Sequence, residues 1–142
     1  MMTISINIPV STIMTKEILT VDINDSLEKA EHLFKKHKIR HIPVVEKKKI
    51  VGMLSLNDLL RISFADGAYK EEENVSSDIY EMFSISQIMV RKPETVTSNT
   101  TVREVANLLT KTKFHSLPVV DNEEVVGMVT TTDLLKYFLR MF

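Results

Sequence analysis

The sequence predicts a mixed α/β (α+β) protein built as two similar halves, and three observations carry that prediction. Pro43-Val44-Val45, Gly52-Met53 and Asp58-Leu59-Leu60 recur as Pro118-Val119-Val120, Gly127-Met128 and Asp133-Leu134-Leu135, always 75 residues on (118−43, 127−52, 133−58). A constant offset without insertion implies duplication of a folded unit, and two copies are too few for a solenoid. Within each copy, helix-period and strand-period apolar patterns alternate. Each copy also holds two β-branched runs joined by a short polar turn, the mark of a hairpin. Each half then reads as strand–helix–strand–strand–helix, a mixed sheet with helices on one side. Pseudo-twofold packing of the halves would build any site at their junction twice.

The elements follow in order. Ile4, Ile6 and Ile8 alternate with Ser5 and Asn7, which suggests a short strand ending at Pro9. Short apolar helical turns come next, Val10–Met14 in one copy and Ile85–Met89 in the other, then extended segments around Leu19-Thr20-Val21 and Glu94-Thr95-Val96. Asp25-x-x-Glu28 and Thr101-x-x-Glu104 place an acceptor beside the orphan N–H groups of a helix start. Leu27, Ala30, Leu33 and Phe34 form one apolar stripe, and Val102, Val105, Leu108 and Leu109 the other. The hairpins run from Ile39 to Val45 and Ile50 to Leu54, and from Phe114 to Val120 and Val125 to Val129. Their turns are Glu46-Lys47-Lys48-Lys49 and Asp121-Asn122-Glu123-Glu124, and closing helices start near Leu56 and Thr131. The copies occupy residues 1–64 and 85–142. Residues 65–84 form an acidic linker, with Asp66, Glu71, Glu72, Glu73, Asp78 and Glu81 against Lys70, read as part helical over residues 79–83.

Composition excludes several function classes. The 142 residues are 44% hydrophobic and 26% charged, which is globular rather than disordered. With 18 basic and 19 acidic residues the net charge is −1, so the concentrated basic face that nucleic acid requires is not expected. The absence of Cys removes disulfides, thiolate zinc sites and thiol nucleophiles together. No apolar run reaches transmembrane length and Met1-Met2-Thr3-Ile4-Ser5-Ile6 lacks a basic n-region, so a cytoplasmic protein without membrane insertion is expected. With glycines only at 52, 67 and 127, no phosphate loop can be written. His32 and His37 are five apart and share no helix face, so no metal site or catalytic residue is expected.

The segments Gly52-Met53-Leu54-Ser55-Leu56-Asn57-Asp58 and Gly127-Met128-Val129-Thr130-Thr131-Thr132-Asp133 share the form Gly-apolar-apolar-(Ser/Thr)-x-x-Asp. Two readings compete. In the bland one, Ser55-x-x-Asp58 and Thr130-x-x-Asp133 are capping boxes inherited with the repeat. In the functional one they form a mononucleotide site. The glycine would admit a ligand to the backbone, the helix N-terminus and hydroxyls would suit a phosphate, and the aspartate would accept ribose hydroxyls. Lys38, Arg40 and His41, or Lys113 and His115, would supply cations.

These segments, together with Met14-Thr15 and Met89-Val90 and the strands His41-Ile42-Pro43-Val44-Val45 and Ser116-Leu117-Pro118-Val119-Val120, resemble CBS motifs. The pair resembles a Bateman module over roughly residues 10–63 and 85–139. The resemblance implies β-α-β-β-α halves packed through their sheets and two clefts for adenosine ligands such as AMP, ADP, ATP or S-adenosylmethionine. One cleft would hold Gly127, Met128, Thr130, Thr132 and Asp133, facing Ile18, Leu19, Thr20, Lys38, Arg40, His41, Ile42 and Pro43. The other would hold Met53, Ser55, Asn57 and Asp58, facing Pro93, Thr95, Lys113, His115, Ser116, Leu117 and Pro118. With Ser116 in the place of His41, the second cleft is the poorer in phosphate contacts.

The expected function is therefore regulatory sensing of an adenine nucleotide, with magnesium accompanying ATP and no resident cofactor. Output would pass to a regulated protein partner or an oligomer. The competing readings are a ligand-free dimerisation adaptor and a small nucleotide-processing enzyme. A homodimer is expected because Ile13, Met14, Ile88 and Met89 on the short helices, and Tyr137-Phe138-Leu139 on the closing helix, offer apolar surface.

Overall fold

The computed structural model describes residues 7–65, 81–111 and 115–141. The fold is mixed α/β, and the chain divides into two compact units, Leu19–Pro93 and Met1–Ile18 with Glu94–Phe142. These units cut across the sequence repeats. The short turn that opens each copy belongs to the unit that contains the hairpin of the other copy.

In the unit Leu19–Pro93, β1 (Val21–Asp22) runs parallel to β2 (His41–Glu46), and β2 is antiparallel to β3 (Lys49–Ser55). The helix α1 (Leu27–His37) lies between β1 and β2 in the chain, α2 (Leu56–Ala65) follows β3, and the short α3 (Ile85–Ile88) leads into β4 (Val90–Arg91). β4 pairs antiparallel with β3, matching Gly52 to Arg91 and Met53 to Val90. The α1 stripe is buried at Leu27, Ala30 and Phe34, with Leu33 half-buried. It shares a core with Ile42, Val44, Leu54 and Leu59, and with Ile85, Ile88 and Met89 from α3.

In the second unit, a 3-10 turn (Val10–Thr12) precedes Thr15, which bridges to Met128. Then come α4 (Val102–Lys111), the antiparallel pair β5 (Ser116–Asp121) and β6 (Glu124–Thr130), and α5 (Thr131–Met141). Val96 makes a parallel bridge to Val119, the counterpart of the β1–β2 pairing. Here the core joins Val102, Val105 and Leu109 of α4 to Val119, Val129, Leu134 and Tyr137, and to Val10 and Ile13 from the opening turn.

The 75-residue offset extends to register and local defects. Both hairpins carry an irregularity at the same place, between Val44 and Val45 and between Val119 and Val120. Both two-residue turns have positive φ, 51° and 71° at Lys47 and Lys48, 53° and 69° at Asn122 and Glu123. That is the primed geometry that fits the twist of paired strands.

Several expectations change. The α1 cap is Ser26, whose Oγ accepts from Lys29 N–H at 3.1 Å, rather than Asp25. The Asp25 carboxylate instead accepts from Asp22 N–H at 2.8 Å and from Lys29 Nζ at 3.0 Å. In α4 Thr101 caps as expected, its Oγ1 accepting from Glu104 N–H and donating to Glu104 Oε1. Ile13, Ile88 and Met89, expected to offer dimer surface, are at most 9% exposed because they complete the two cores, and Tyr137 is buried with them. Of the strand expected over Ile4–Ile8, residues 4 to 6 lie outside the described residues; Pro9 makes a single bridge to Thr101. The linker expectation also falls outside them, save that Glu81 and Met82 are helical.

Candidate functional site

Each Gly-to-Asp segment is the last part of an inner strand and the first turn of its closing helix. The glycines sit in mid-strand, not at a strand end, and their space is already used. A Cβ on Gly52 would run into Met89 Sδ and come within 2.9 Å of the Val90 carbonyl; on Gly127 it would meet Met14 Sδ and, at 3.0 Å, the Thr15 carbonyl. The close approach is thus made by the other copy's opening segment, which corrects the expectation that these glycines admit a ligand.

The segment ends differ between the copies. In the second unit the capping box is reciprocal. Asp133 N–H donates to Thr130 Oγ1 at 3.1 Å, and Thr130 N–H donates to Asp133 Oδ2 at 3.0 Å. The Thr15 hydroxyl also donates to this carboxylate, 3.2 and 3.3 Å from its two oxygens. An open depression of about 400 Å³ adjoins Asp133, lined by Ile13, Lys136, Leu139 and Arg140. In the unit Leu19–Pro93, Asp58 N–H donates to Ser55 Oγ at 3.0 Å, but the Asp58 carboxylate meets Arg61 Nη2 at 2.5 Å. Both aspartates therefore have a structural role and both remain partly exposed. Around them Met53, Ser55 and Gly127 are buried, Met128 and Thr130 half-buried, and Asn57 and Thr132 exposed.

Each proline strand starts beside the closing helix of its own copy. His41 pairs with Ser55, and the Arg40 carbonyl accepts from Leu56 N–H at 2.9 Å. Likewise Ser116 pairs with Thr130, and the His115 carbonyl accepts from Thr131 N–H at 2.9 Å. Ile42, Pro43, Leu117 and Pro118 are buried in these strands, while Arg40 and His115 are exposed. Lys38 ends α1 with φ 53°, directing its N–H to the Phe34 carbonyl. Lys113 lies outside the described residues. Leu19, Thr20 and Pro93 fall in the first unit and Ile18 and Thr95 in the second, all outside regular strands. Ser116 Oγ is buried without a hydrogen-bond partner among the described residues.

Thr15, Arg61, Lys136 and Arg140 were not among the expected site residues. The signal for the first three was the repeat itself, since 15 and 90 differ (Thr, Val) and 61 and 136 differ (Arg, Lys) inside otherwise matched segments. Among the described residues no group of three or more His, Asp or Glu stands ready to hold a metal ion, and no helix is long and apolar enough to cross a membrane.

This geometry is that of a tandem repeat of one known kind. The CBS domain family matches residues 10–65 and 85–140, and the chain belongs to that family. Among relatives, it is 28% identical over 137 residues to an uncharacterized protein of Methanocaldococcus jannaschii, covering 96% of this chain and 41% of that protein. It is 31% identical to the inosine-5'-monophosphate dehydrogenase of Korarchaeum cryptofilum, covering 84% of this chain and 22% of the dehydrogenase. With the CBS domain-containing protein YhcV of Bacillus subtilis it shares 27% identity, over 85% of this chain and 79% of that protein. The chain thus spans less than half the length of the first two. Its fold is that of solved CBS pairs. CBSX2 in complex with AMP superposes with TM-score 0.78 at 25% identity, covering 94% of this chain and 97% of CBSX2. The CBS pair of protein MJ0100 with 5'-methylthioadenosine and S-adenosyl-L-methionine gives TM-score 0.73 at 29% identity, covering 92% of this chain and 98% of that one.

Proposed function

We propose that the chain is a regulatory module that binds adenosine-containing ligands through its two Gly-to-Asp segments and acts through a partner or an oligomer. The observation that supports this most is that both copies keep a partly exposed aspartate in the first turn of the closing helix, Asp58 and Asp133, with a hydroxyl three residues before it. Solved members of the family at 25% and 29% identity hold AMP in one case and S-adenosylmethionine with methylthioadenosine in the other. On this reading Asp133, Thr130 and Thr132 serve one ligand. Asp58, Ser55 and Asn57 serve another. The module works without turnover and in the cytoplasm, and ATP with magnesium is left intact.

A thermal-shift panel of AMP, ADP, ATP, S-adenosylmethionine and guanine nucleotides tests it. A ligand at ~100 times its Kd stabilises the fold by about 2.7 kcal/mol. Adenine ligands should raise Tm in the wild type and less so in Asp133→Ala. If no adenosine ligand shifts Tm, the reading fails.

We further propose pairing with a second copy, because Leu135 and Leu139, one helical turn apart on α5, are 57% and 75% exposed. Paired apolar side chains on one helix face suit a closed twofold contact. Light scattering that reports a monomer at micromolar concentration would end this part of the proposal.

A further inference from the structure

The strand registers place position 15 of one copy and position 90 of the other in equivalent surroundings. Thr15 bridges to Met128, and Val90 pairs with Met53, 75 residues earlier on both sides. Where Thr15 offers a hydroxyl to Asp133, the equivalent Val90 has no hydroxyl to offer. The two carboxylates then settle differently. Asp133 is held by Thr15 and by Thr130 N–H, both neutral donors that leave lone pairs on each oxygen for a further donor. Asp58 is taken by a guanidinium one helical turn along, at 2.5 Å, and only 16% of its side chain remains exposed.

We infer that Arg61 determines the difference between the two ligand sites, by holding Oδ1 of the Asp58 carboxylate, to which a sugar diol would otherwise donate. The inference rests on the reading of these aspartates as ribose acceptors. A charge-assisted hydrogen bond is stronger than one from a neutral hydroxyl, so a diol that bridges both Asp58 oxygens competes with Arg61 for Oδ1. Arg61 is itself 75% exposed, which makes the pair a solvent-screened one that a ligand can open. The second copy has Lys136 at the equivalent position, and Lys136 lines the depression beside Asp133. The Asp58 site is thus the weaker for a neutral diol, and its affinity depends on salt in a way that of the Asp133 site does not.

Adenosine is the probe, because it carries the diol without a phosphate that Arg61 would attract. Titration calorimetry in an Asp133→Ala background leaves the Asp58 site to be read alone. Adding Arg61→Ala should tighten adenosine about two- to fivefold, the range an exposed ion pair supports. Arg61→Gln should do the same, and Arg61→Lys should fall between. The gain should shrink as salt rises from ~0.05 to ~1 M, because screening loosens the pair in the Arg61 protein. Unchanged or weaker binding in both neutral variants, with Tm confirming an intact fold, overturns the inference. Adding Asp58→Ala to the same background separates the two failures. If it abolishes binding while the Arg61 variants change nothing, only the role of Arg61 is wrong. If it too changes nothing, or if adenosine does not bind at all, the ribose reading falls and this inference with it.

Discussion

Replacing Gly52 by Ala tests whether the repeat glycines exist for internal packing or for a ligand. The added Cβ would overlap the Met89 side chain and stand 2.9 Å from the Val90 carbonyl, at a strand position with no exposed side. Forcing a methyl into a well-packed core costs about 1–3 kcal/mol. For a chain of this size that is a fall in Tm of roughly 3–4 °C per kcal/mol. Met89→Ala, at a residue 8% exposed, should cost about 2–5 kcal/mol on its own. In the double variant the lost thioether leaves room for the new methyl. The two costs should then fall short of their sum by about 1–2 kcal/mol, as expected of residues in contact. Relief is incomplete because the Val90 carbonyl is backbone and cannot be removed. Urea unfolding of the four proteins gives the coupling, and Gly127→Ala with Met14→Ala repeats it in the other unit. Additive costs would refute the packing account. So would a Gly52→Ala protein of unchanged stability that has lost ligand affinity, which is what a glycine kept for ligand approach predicts.

Three further outcomes can be checked on the unliganded protein. The Asp25 carboxyl lies below its ordinary value, chiefly because Asp22 N–H donates to it, with Lys29 adding to the effect against some desolvation. A depressed carboxyl contributes stability above its unfolded pKa and loses it as pH falls through the folded one. Wild type should therefore lose its advantage over Asp25→Asn below about pH 4, as urea midpoints across pH would record. Lys48→Gly should raise stability by about 0.5–1 kcal/mol, since φ is 71° there and only glycine takes that region without cost; a loss would show that the lysine side chain holds the turn. Ser116→Ala removes a buried hydroxyl that has no partner among the described residues, so calorimetric Tm should hold or rise, and a clear fall would mean that the hydroxyl is satisfied.

Much of the fold was legible because it depends on local chemistry. The stripes of α1 and α4 announce themselves by spacing, and Leu27, Ala30, Phe34, Val102, Val105 and Leu109 are buried as the pattern requires. Where two local signals overlap, the available hydrogen-bond partners decide between them. Asp25 and Ser26 are both acceptors, and the Glu28 spacing favoured Asp25, but the N–H of Asp22 claims that carboxylate and leaves the cap to Ser26. Of the candidate site, the repeated aspartates and the hydroxyls that cap their helices were legible. The different partners of the two aspartates were not, since Arg61 and Thr15 act through which neighbour reaches a carboxylate first. The role of the glycines was hidden for a similar reason. A glycine in a strand signals close approach, but only the tertiary contact shows that the approaching group is a methionine from the other copy.

That contact also explains how two similar repeats give one protein. Each core is incomplete within its own repeat. Ile85, Ile88 and Met89 fill the core around α1 and the first hairpin, while Val10 and Ile13 fill the core around α4 and the second. A repeat detached at residues 64 and 85 would give up buried aliphatic and thioether side chains. It would also lose the short antiparallel pairing of Gly52 with Arg91 or the bridge of Thr15 to Met128. At about 1.5–3 kcal/mol for each large side chain returned to water, that loss is comparable with the whole stability of a small domain. The methionines at positions 14 and 89, the glycines they pack against and the position that follows each methionine form one joint in each unit. The joint in one unit also brings the Thr15 hydroxyl to the Asp133 carboxylate, so a contact that completes a core also sets the character of that aspartate.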